Sequence, residues 1–166
     1  MMKNNFLSLA VLATLLASTS CSTPKKVAGN YYNHKTECLS VELDGTQIVN
    51  AWSNTAESIT VIEQAKRNAI NDVLFVGLLE GKNNCNVQPI LAAANIKSNN
   101  EAYFNKFFAA GGPYINYVSV KDDKVEMAFW NEKDPEIIKK IINKGFILRL
   151  NRPALKEKMI ADGILK

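Results

Sequence analysis

A strand that leads directly into one long helix, over residues 46–81, constrains the fold of this chain more than any other feature. Alternating apolar side chains predict the strand over residues 47–52. Apolar side chains then recur at three- and four-residue spacing, which predicts an amphipathic helix from Asn54 to about Val76. Small alanines in this stripe allow close packing on a sheet. The stripe consists of Ile59, Ile62, Ala65, Ala69, Val73 and Val76.

Residues at both ends of this predicted helix favour helix termini. Asn54 can accept a hydrogen bond from a free backbone N–H, and Glu57 stands three residues later, as in a capping box. Gly81 is the expected stop, because glycine tolerates the left-handed geometry that ends many helices. The polar residues between these ends are expected to face water, namely Glu63, Gln64, Lys66, Arg67, Asn68, Asn71 and Asp72.

Two hairpins are predicted from alternating segments joined by turn residues. An Asp-Gly pair at 44–45 is a strong hairpin turn, so a strand over 36–43 should pair antiparallel with the strand before the long helix. The polar turn 121–124 should likewise join a strand over 114–120 to one over 125–130.

Further helices are predicted in the second half of the chain. Ser98 and Glu101 form a capping box ahead of a helix that ends at the glycine pair 111–112. Asp134, followed by proline, predicts the start of another helix, a strand follows over 146–150, and a proline soon after it begins the last helix. The residues expected to face inward on the last two helices are Ile137, Ile138, Ile141, Ile142, Leu155, Met159 and Ile160.

The order of these elements predicts the fold class. Hairpins mixed with helices indicate an α+β fold, with a largely antiparallel sheet built from two hairpins plus a late strand. Three to four helices should pack against that sheet. A chain of 166 residues can bury one proper core, so a single domain is expected.

The strand–helix junction resembles a known family. A strand and a short turn precede a helix with alanines four residues apart, in the runs AWSN (51–54) and EQAKRNA (63–69). These runs resemble small bacterial lipoproteins of the Lpp-twenty type and the N-terminal domain of the flagellar assembly protein T. The sequence departs from the pattern at Trp52 and Ser53, which replace the usual glycine. The resemblance implies an α+β, envelope-associated domain that serves assembly or interaction and not catalysis.

The N-terminus has the organisation of an export signal. A charged start precedes an apolar run over residues 6–17 that is too short to span a bilayer permanently. Small residues then lead to Cys21, a pattern that resembles the bacterial lipoprotein box, with serine at position 18 where leucine is commoner. We expect a signal peptide over 1–20, a lipidated tether over 21–33 and one domain over 34–166. Cleavage by an ordinary signal peptidase and retention as an anchor are the alternatives.

Lipidation of Cys21 would set the location of the protein. Two acyl chains bind a membrane stably where one does not. Ser22 stands where some lipoproteins carry the aspartate that retains them at the inner membrane, so the outer membrane is expected. No acidic run follows Cys21, which favours the periplasmic face. The expected partners are the bilayer, and another envelope protein or a second copy of the chain.

The cysteines fit this location. Besides Cys21, only Cys38 and Cys85 are present, an even pair for an oxidising compartment. A Cys38–Cys85 disulfide would join the first strand to the loop after the long helix and would contribute about 3–4 kcal/mol in the chain-entropy model. Two unpaired buried thiols are the alternative.

The sequence contains no recognisable catalytic or cofactor-binding pattern. His34 lies four residues before Cys38, but this segment is predicted to pass from tether into strand, and a zinc site needs more ligands. No phosphate-binding glycine loop, nucleophile elbow or metal-spaced cluster occurs. The net charge of +4 is spread along the chain, which argues against nucleic-acid binding. We expect no cofactor, no metal and no enzymatic activity.

These observations predict a membrane-anchored envelope lipoprotein that acts as a non-enzymatic interaction or assembly module. One alternative is a periplasmic hydrolase or metal-dependent enzyme that uses His34. Another is a small-ligand carrier. Phenylalanines at helical spacing usually belong to a core, although an exposed cluster would dock a partner. The aromatic residues that would line the carrier's pocket or form such a patch are Phe104, Phe107, Phe108 and Trp130.

Overall fold

A five-stranded sheet forms the centre of the fold, which is taken from a computed structural model that describes residues 35–53, 58–81, 85–122, 129 and 131–166. The strands are β1 Glu37–Val41, β2 Gln47–Ala51, β3 Leu79–Glu80, β4 Val118–Val120 and β5 Phe146–Leu150. Their order in the sheet is β3-β1-β2-β5-β4, with β3 parallel to β1 and the other neighbours antiparallel. The predicted α+β class with a largely antiparallel sheet is confirmed.

Helices connect the strands and cover one face of the sheet. The longest, α1, contacts β2, β4 and β5 and carries the largest share of the core. The helical elements are α1 Ser58–Asn71, a π-helical turn Asp72–Val76, α2 Ile96–Asn99, α3 Glu101–Phe107, a 3-10 helix Pro113–Tyr117, α4 Pro135–Lys144 and α5 Arg152–Ala161.

The first predicted hairpin is confirmed, and its turn is held by local hydrogen bonds. The backbone N–H of Glu42 donates to the Thr46 carbonyl (2.8 Å), and the N–H of Thr46 donates to the Asp44 carboxylate (2.9 Å). Gly45 has φ of +83°, a conformation that glycine adopts without strain. The Asp-Gly pair therefore sets the register of β1 against β2 next to the turn, and an irregularity between Cys38 and Ser40 shifts it further along the strands.

The apolar stripe of α1 is buried as predicted over most of its length. Ile62, Ala65, Ala69 and Val73 are fully buried, whereas Val76 is 51% exposed. The difference arises in the π-helical turn, where the N–H of Gly77 donates to the carbonyl of residue 72 and the extra residue shifts the helical phase. The helix ends here, before Gly81. The predicted cap residues 54 and 57 lie outside the described residues.

Two polar residues of this helix that were expected to face water are buried instead. Asp72 is 1% exposed, and its carboxylate accepts a hydrogen bond from the backbone N–H of Thr36 (2.9 Å). Asn68 is 4% exposed and donates to the carbonyl of Trp52 (2.8 Å). Both side chains satisfy backbone groups at the ends of strands, which explains why polar residues lie in the core.

The second arm of the second predicted hairpin, over 125–130, lies almost entirely outside the described residues, so that hairpin stays a prediction. β4 pairs with β5, and residues 114–117 form 3-10 helix where strand was expected. Residues 123–128 and 130 lie outside the described part, while Phe129 is helical and packs edge-on against Phe146 (5.6 Å between ring centroids).

The predicted capping box at Ser98 is also wrong. Ser98 lies inside the short helix α2, where its hydroxyl donates to the Asn95 carbonyl (3.0 Å). A new helix, α3, begins at Glu101 with no side-chain cap from Asn100. Two short helices therefore replace the single helix that was expected.

The last two helices start as predicted but bury less than expected. The Asp134 carboxylate caps α4 by accepting from the N–H of Glu136 (2.9 Å), and α5 begins at Arg152 behind Asn151. Leu155 and Met159 are fully buried, Ile138, Ile141 and Ile142 are half-buried, and Ile137 and Ile160 are exposed (44% and 51%).

The strand register gives the sheet two distinct ends and two distinct faces. The chain enters β1 at what we call the proximal end, where Leu79, Glu37, Asn50 and Ile147 form one row across four strands. The opposite, distal end contains the β1–β2 turn and the end of β5. Side chains alternate between faces, so the inner face packs on α1 and the row just named belongs to the outer face.

Candidate functional site

An open cleft lies on the outer face at the distal end of the sheet. Its volume is about 330 Å³. The lining side chains combine amides, hydroxyls, a guanidinium group and apolar surface. They include Thr46, Ile115, Asn116, Ser119, Arg149 and Asn151.

Three separate parts of the chain build this cleft, which we call the distal cleft. Ser119 lies directly across from Arg149, because β4 pairs antiparallel with β5. The N–H of Asn151 donates to the carbonyl of Tyr117 (2.9 Å), which joins the end of β5 to the 3-10 helix. Thr46, from the β1–β2 turn, closes the third side. The lining is therefore positioned by backbone pairing.

Charge in the distal cleft is concentrated at one ion pair. The Arg149 guanidinium binds the Glu42 carboxylate (2.5 Å), and this hydrogen bond raises the pKa of Arg149. Nearby, hydrogen bonds from Thr46 hold the pKa of Asp44 below its ordinary value. The Arg149 side chain is 47% exposed, so solvent screens the pair and its net contribution to stability is small. The guanidinium keeps donors that an incoming carbonyl or carboxylate can accept.

Apolar surface borders the polar lining. Ile115 is 41% exposed within the distal cleft, and Leu43, in the β1–β2 turn, is completely exposed. Exposed isoleucine beside arginine and amide groups is the mixture found in protein–protein interfaces, which combine an apolar centre with a polar rim. The distal cleft is therefore suited to contact with another chain.

A half-buried polar cluster joins α1 to the 3-10 helix. The Tyr114 hydroxyl donates to Glu63 (2.7 Å) and accepts from Arg67 (3.1 Å), and Lys66 pairs with the same carboxylate (3.0 Å). Burial and the Glu63 hydrogen bond raise the pKa of Tyr114 to about 12. Burial opposes ionisation of Glu63, but hydrogen bonds from Tyr114 and Lys66 lower its pKa. The Tyr114 hydroxyl therefore stays protonated near neutral pH and, as a hydrogen-bond donor, ties the 3-10 helix to α1.

A second cluster ties α3 to α5. The Tyr103 hydroxyl donates to the Asp162 carboxylate (2.5 Å), which also pairs with Lys158 (2.8 Å). Burial and this hydrogen bond raise the pKa of Tyr103. Here too the tyrosine acts as a protonated donor, and the contacts serve to hold two helices together.

The three phenylalanines that were considered for a pocket or a docking patch belong to the core. Phe104, Phe107 and Phe108 are 1–2% exposed and pack against one another. Tyr117, which stacks on Phe107 at 6.2 Å, links this group to the distal cleft. The phenylalanines do not form an exposed patch.

The disulfide expected from the cysteine count is present. Cys38 and Cys85 are bonded, with Cα atoms 6.2 Å apart. Cys38 is fully buried on the inner face of β1, and Cys85 packs against the core from the loop that follows β3. The bond therefore anchors the loop that follows β3 to strand β1.

Three of the candidate site residues, namely Cys21, His34 and Trp130, lie outside the described part of the chain. Within the residues that the structure describes, no three histidine, cysteine, aspartate or glutamate side chains come together in a way that would hold a metal ion. Among those residues there is also no helix with the length and apolar character needed to cross a membrane.

The distal cleft was not found in the sequence because its residues are ordinary and far apart in the chain. Only the antiparallel pairing of β4 with β5 brings Ser119 to Arg149, and nothing in either segment alone indicated this pairing. The alternation of apolar and polar residues over 146–150 is the one signal in the sequence that could have placed Arg149 on a solvent-facing side.

Comparison with protein-family models, curated proteins and solved structures found no match for this chain. The resemblance to Lpp-twenty lipoproteins and to the N-terminal domain of the flagellar assembly protein T therefore stays a prediction.

Proposed function

We propose that this protein is a lipid-anchored component of the bacterial envelope, at the periplasmic face of the outer membrane, whose folded domain docks another envelope protein through the distal cleft. One observation carries the proposal. The described chain enters the sheet at the proximal end, and the cleft lies at the opposite end. An anchor at Cys21 would therefore join the domain at the end of the sheet opposite the cleft and would leave the cleft accessible to a partner.

The disulfide supports the proposed compartment. Disulfides persist in oxidising environments such as the periplasm and are rare in the bacterial cytosol. Cys38 and Cys85 are both used in this bond, so Cys21 is the remaining cysteine in the sequence. A single cysteine directly after a short apolar export signal is the arrangement that lipid attachment requires.

The chemistry of the distal cleft supports docking more than catalysis. Its lining offers hydrogen-bond donors and acceptors at Asn116, Ser119 and Asn151, with an exposed isoleucine at its edge. The Arg149–Glu42 pair can exchange partners with charged groups of an incoming chain. Such groups give orientation and specificity to an interface.

The anchor is tested by metabolic labelling with radioactive palmitate in a bacterial host. We expect label in the wild-type protein and none in Cys21→Ser, which should appear in the soluble fraction. A Cys38→Ala/Cys85→Ala variant is the matched control, because it removes two cysteines but keeps Cys21, and it should retain the label. A mature wild-type chain that carries no fatty acid would refute the anchor.

Docking is tested separately by site-specific photo-crosslinking in cells. A benzophenone amino acid at Asn116 should yield a discrete protein adduct, and the same amino acid at Lys106, exposed on α3, should not. Adding Ile115→Asp to the Asn116 probe should abolish the adduct, because a charge would enter the apolar edge of the interface. Equal adducts from Asn116 and Lys106 would show that the cleft is not the docking site.

A further inference from the structure

The proximal end carries an exposed surface that the distal cleft does not use. Two large apolar side chains of the outer-face row are substantially exposed, Leu79 (49%) and Ile147 (38%), and Glu37 lies in the same row. Ile137 (44% exposed) lies on α4, whose C-terminal end meets this end of the sheet, and Glu136, Lys139 and Lys140 border it. We call this set the proximal surface and define it by Leu79, Ile147, Ile137, Lys139, Lys140 and Lys144.

Helix α4 shows how the basic and apolar parts of the surface combine. Ile137, Lys140 and Lys144 are spaced by three and four residues, so they form one stripe along the helix. Ile138, Ile141 and Ile142 occupy the other side and pack against the core. No residue of α4 is fully buried, so the helix lies on the surface of the domain.

The C-terminal end of α4 is fixed to the proximal end of the sheet. The Asn50 amide donates to the carbonyl of Lys144 (3.2 Å), and the Trp52 indole N–H donates to the carbonyl of Asn143 (3.3 Å). Gly145 follows with φ of +78° and leaves no room for a side chain, because a Cβ atom would lie 2.9 Å from the Trp52 ring. The lysines are therefore held beside the outer-face row by defined contacts.

We propose that the proximal surface binds the anionic phospholipid surface of the membrane and orients the domain on it, an inference that rests on the proposed lipid anchor. Lysines beside an exposed isoleucine fit a membrane interface, because the aliphatic stems lie against the acyl boundary while the ammonium groups reach the headgroups. Each lysine near an anionic surface strengthens binding about fivefold. The three lysines outnumber Glu37 and Glu136, which lie at the same surface, so charge complementarity favours an anionic occupant.

The position of the anchor supports the same occupant. Cys21 precedes Lys35 by fourteen residues, which span at most about 50 Å even when fully extended. Lys35 leads into β1 at the proximal end. A chain lipidated at Cys21 therefore keeps the whole domain within reach of the headgroups, and a weak affinity of the proximal surface is sufficient when the local lipid concentration is high.

The test measures sedimentation with lipid vesicles, using a chain of residues 21–166 with Cys21→Ser. This chain contains the whole described core and carries no acyl group, so binding reports the protein surface alone. We expect binding to vesicles of equal parts phosphatidylglycerol and phosphatidylcholine at low salt and none to phosphatidylcholine alone. Raising the ionic strength to about 0.1 M, where the Debye length is about 10 Å, should weaken the binding.

Matched variants assign the binding to α4. Lys140→Gln/Lys144→Gln should reduce the partition coefficient roughly thirtyfold, because it removes two lysines from the surface. The control Lys106→Gln/Lys156→Gln removes the same charge from exposed positions on α3 and α5 and should change it less than threefold. Ile137→Ser should also weaken binding. Circular dichroism must show equal helix content in all four proteins.

Three results would overturn the proposal: wild-type protein that does not sediment with anionic vesicles, equal losses in the two double variants, or an Ile137→Ser variant that changes the oligomeric state and not the vesicle binding. None of these results bears on palmitate labelling of Cys21. Failure of the membrane surface and failure of the anchor are therefore distinguished.

Discussion

Reduction of the Cys38–Cys85 disulfide should remove about 4 kcal/mol from the free energy of unfolding. The bond closes a loop with a sequence separation of 47 residues. In the chain-entropy model a loop of this length removes about 13–14 cal/mol/K from the denatured state, which is about 4 kcal/mol at 25 °C. Domains are typically stable by about 5–15 kcal/mol, so reduction should remove at least a quarter of the total.

The native fold should survive this reduction, because the loop after Cys85 has other attachments. The N–H of Leu78 donates to the carbonyl of Val87 (2.8 Å), and the N–H of Ile90 donates to the carbonyl of Val73 (2.9 Å). Leu91, a little further along, is buried in the core. The effect of reduction should therefore come from the freed denatured chain and not from a collapsed native loop.

Urea unfolding monitored by circular dichroism measures the effect. The protein with Cys21→Ser as its one substitution is unfolded in urea with and without a phosphine reductant. We expect the urea concentration at the transition midpoint to fall on reduction. The matched control is Cys38→Ala/Cys85→Ala in the same background, whose midpoint should not respond to the reductant. A difference of less than about 1 kcal/mol between the free energies of unfolding of the reduced and oxidised proteins would refute the loop-entropy reasoning.

Three further predictions concern the core, one tight turn and one polar cluster. Phe104→Ala should cost about 3–5 kcal/mol because Phe104 is 1% exposed, whereas Ile160→Ala, at a half-exposed site, should cost less than about 0.5 kcal/mol, both by urea unfolding. Gly145→Ala should destabilise more than Gly111→Ala by at least about 1 kcal/mol: both have positive φ, but only at Gly145 would the Cβ clash, with an Asn50 oxygen at 2.6 Å. Equal costs for the two alanines would contradict the close approach of Asn50 to Gly145. The pKa of Tyr114 is raised from 10.0 to about 12, so its stabilising effect is complete below pH 10 and is lost as pH rises toward 12. Tyr114→Phe should lack this part of the alkaline loss in a series of unfolding measurements against pH, and identical profiles for the two proteins would argue against the cluster.

The parts of the fold that were predicted correctly depend on short-range rules. The Asp-Gly turn sets the first hairpin, since only a few residue pairs adopt its backbone angles. Asp134 caps α4 through an N–H two residues away. The three- and four-residue spacing of the stripe correctly identified the buried side of the helix as far as Val73. Beyond that residue the π-helical turn changes the helical phase. In each case the information lies within one or two turns of chain.

The errors arose where distant segments decide the outcome. Asp72 was expected in water because it is charged, but the N–H that it satisfies belongs to Thr36, 36 residues earlier. The pairing of β4 with β5, whose residues lie about thirty positions later, was not anticipated. The distal cleft depends on that pairing. It could not be inferred from the composition of any single segment.

The pairing of β2 with β5 has a mechanical consequence for a chain held at a surface. Ile147 belongs to the proximal row and Asn151 to the cleft, and each residue of a strand advances about 3.3 Å, so roughly 13 Å separate the two levels. Hydrogen-bonded strands hardly stretch. The sheet therefore acts as a rigid spacer. A molecule bound at the distal end is held at a fixed distance from a surface that supports the proximal end.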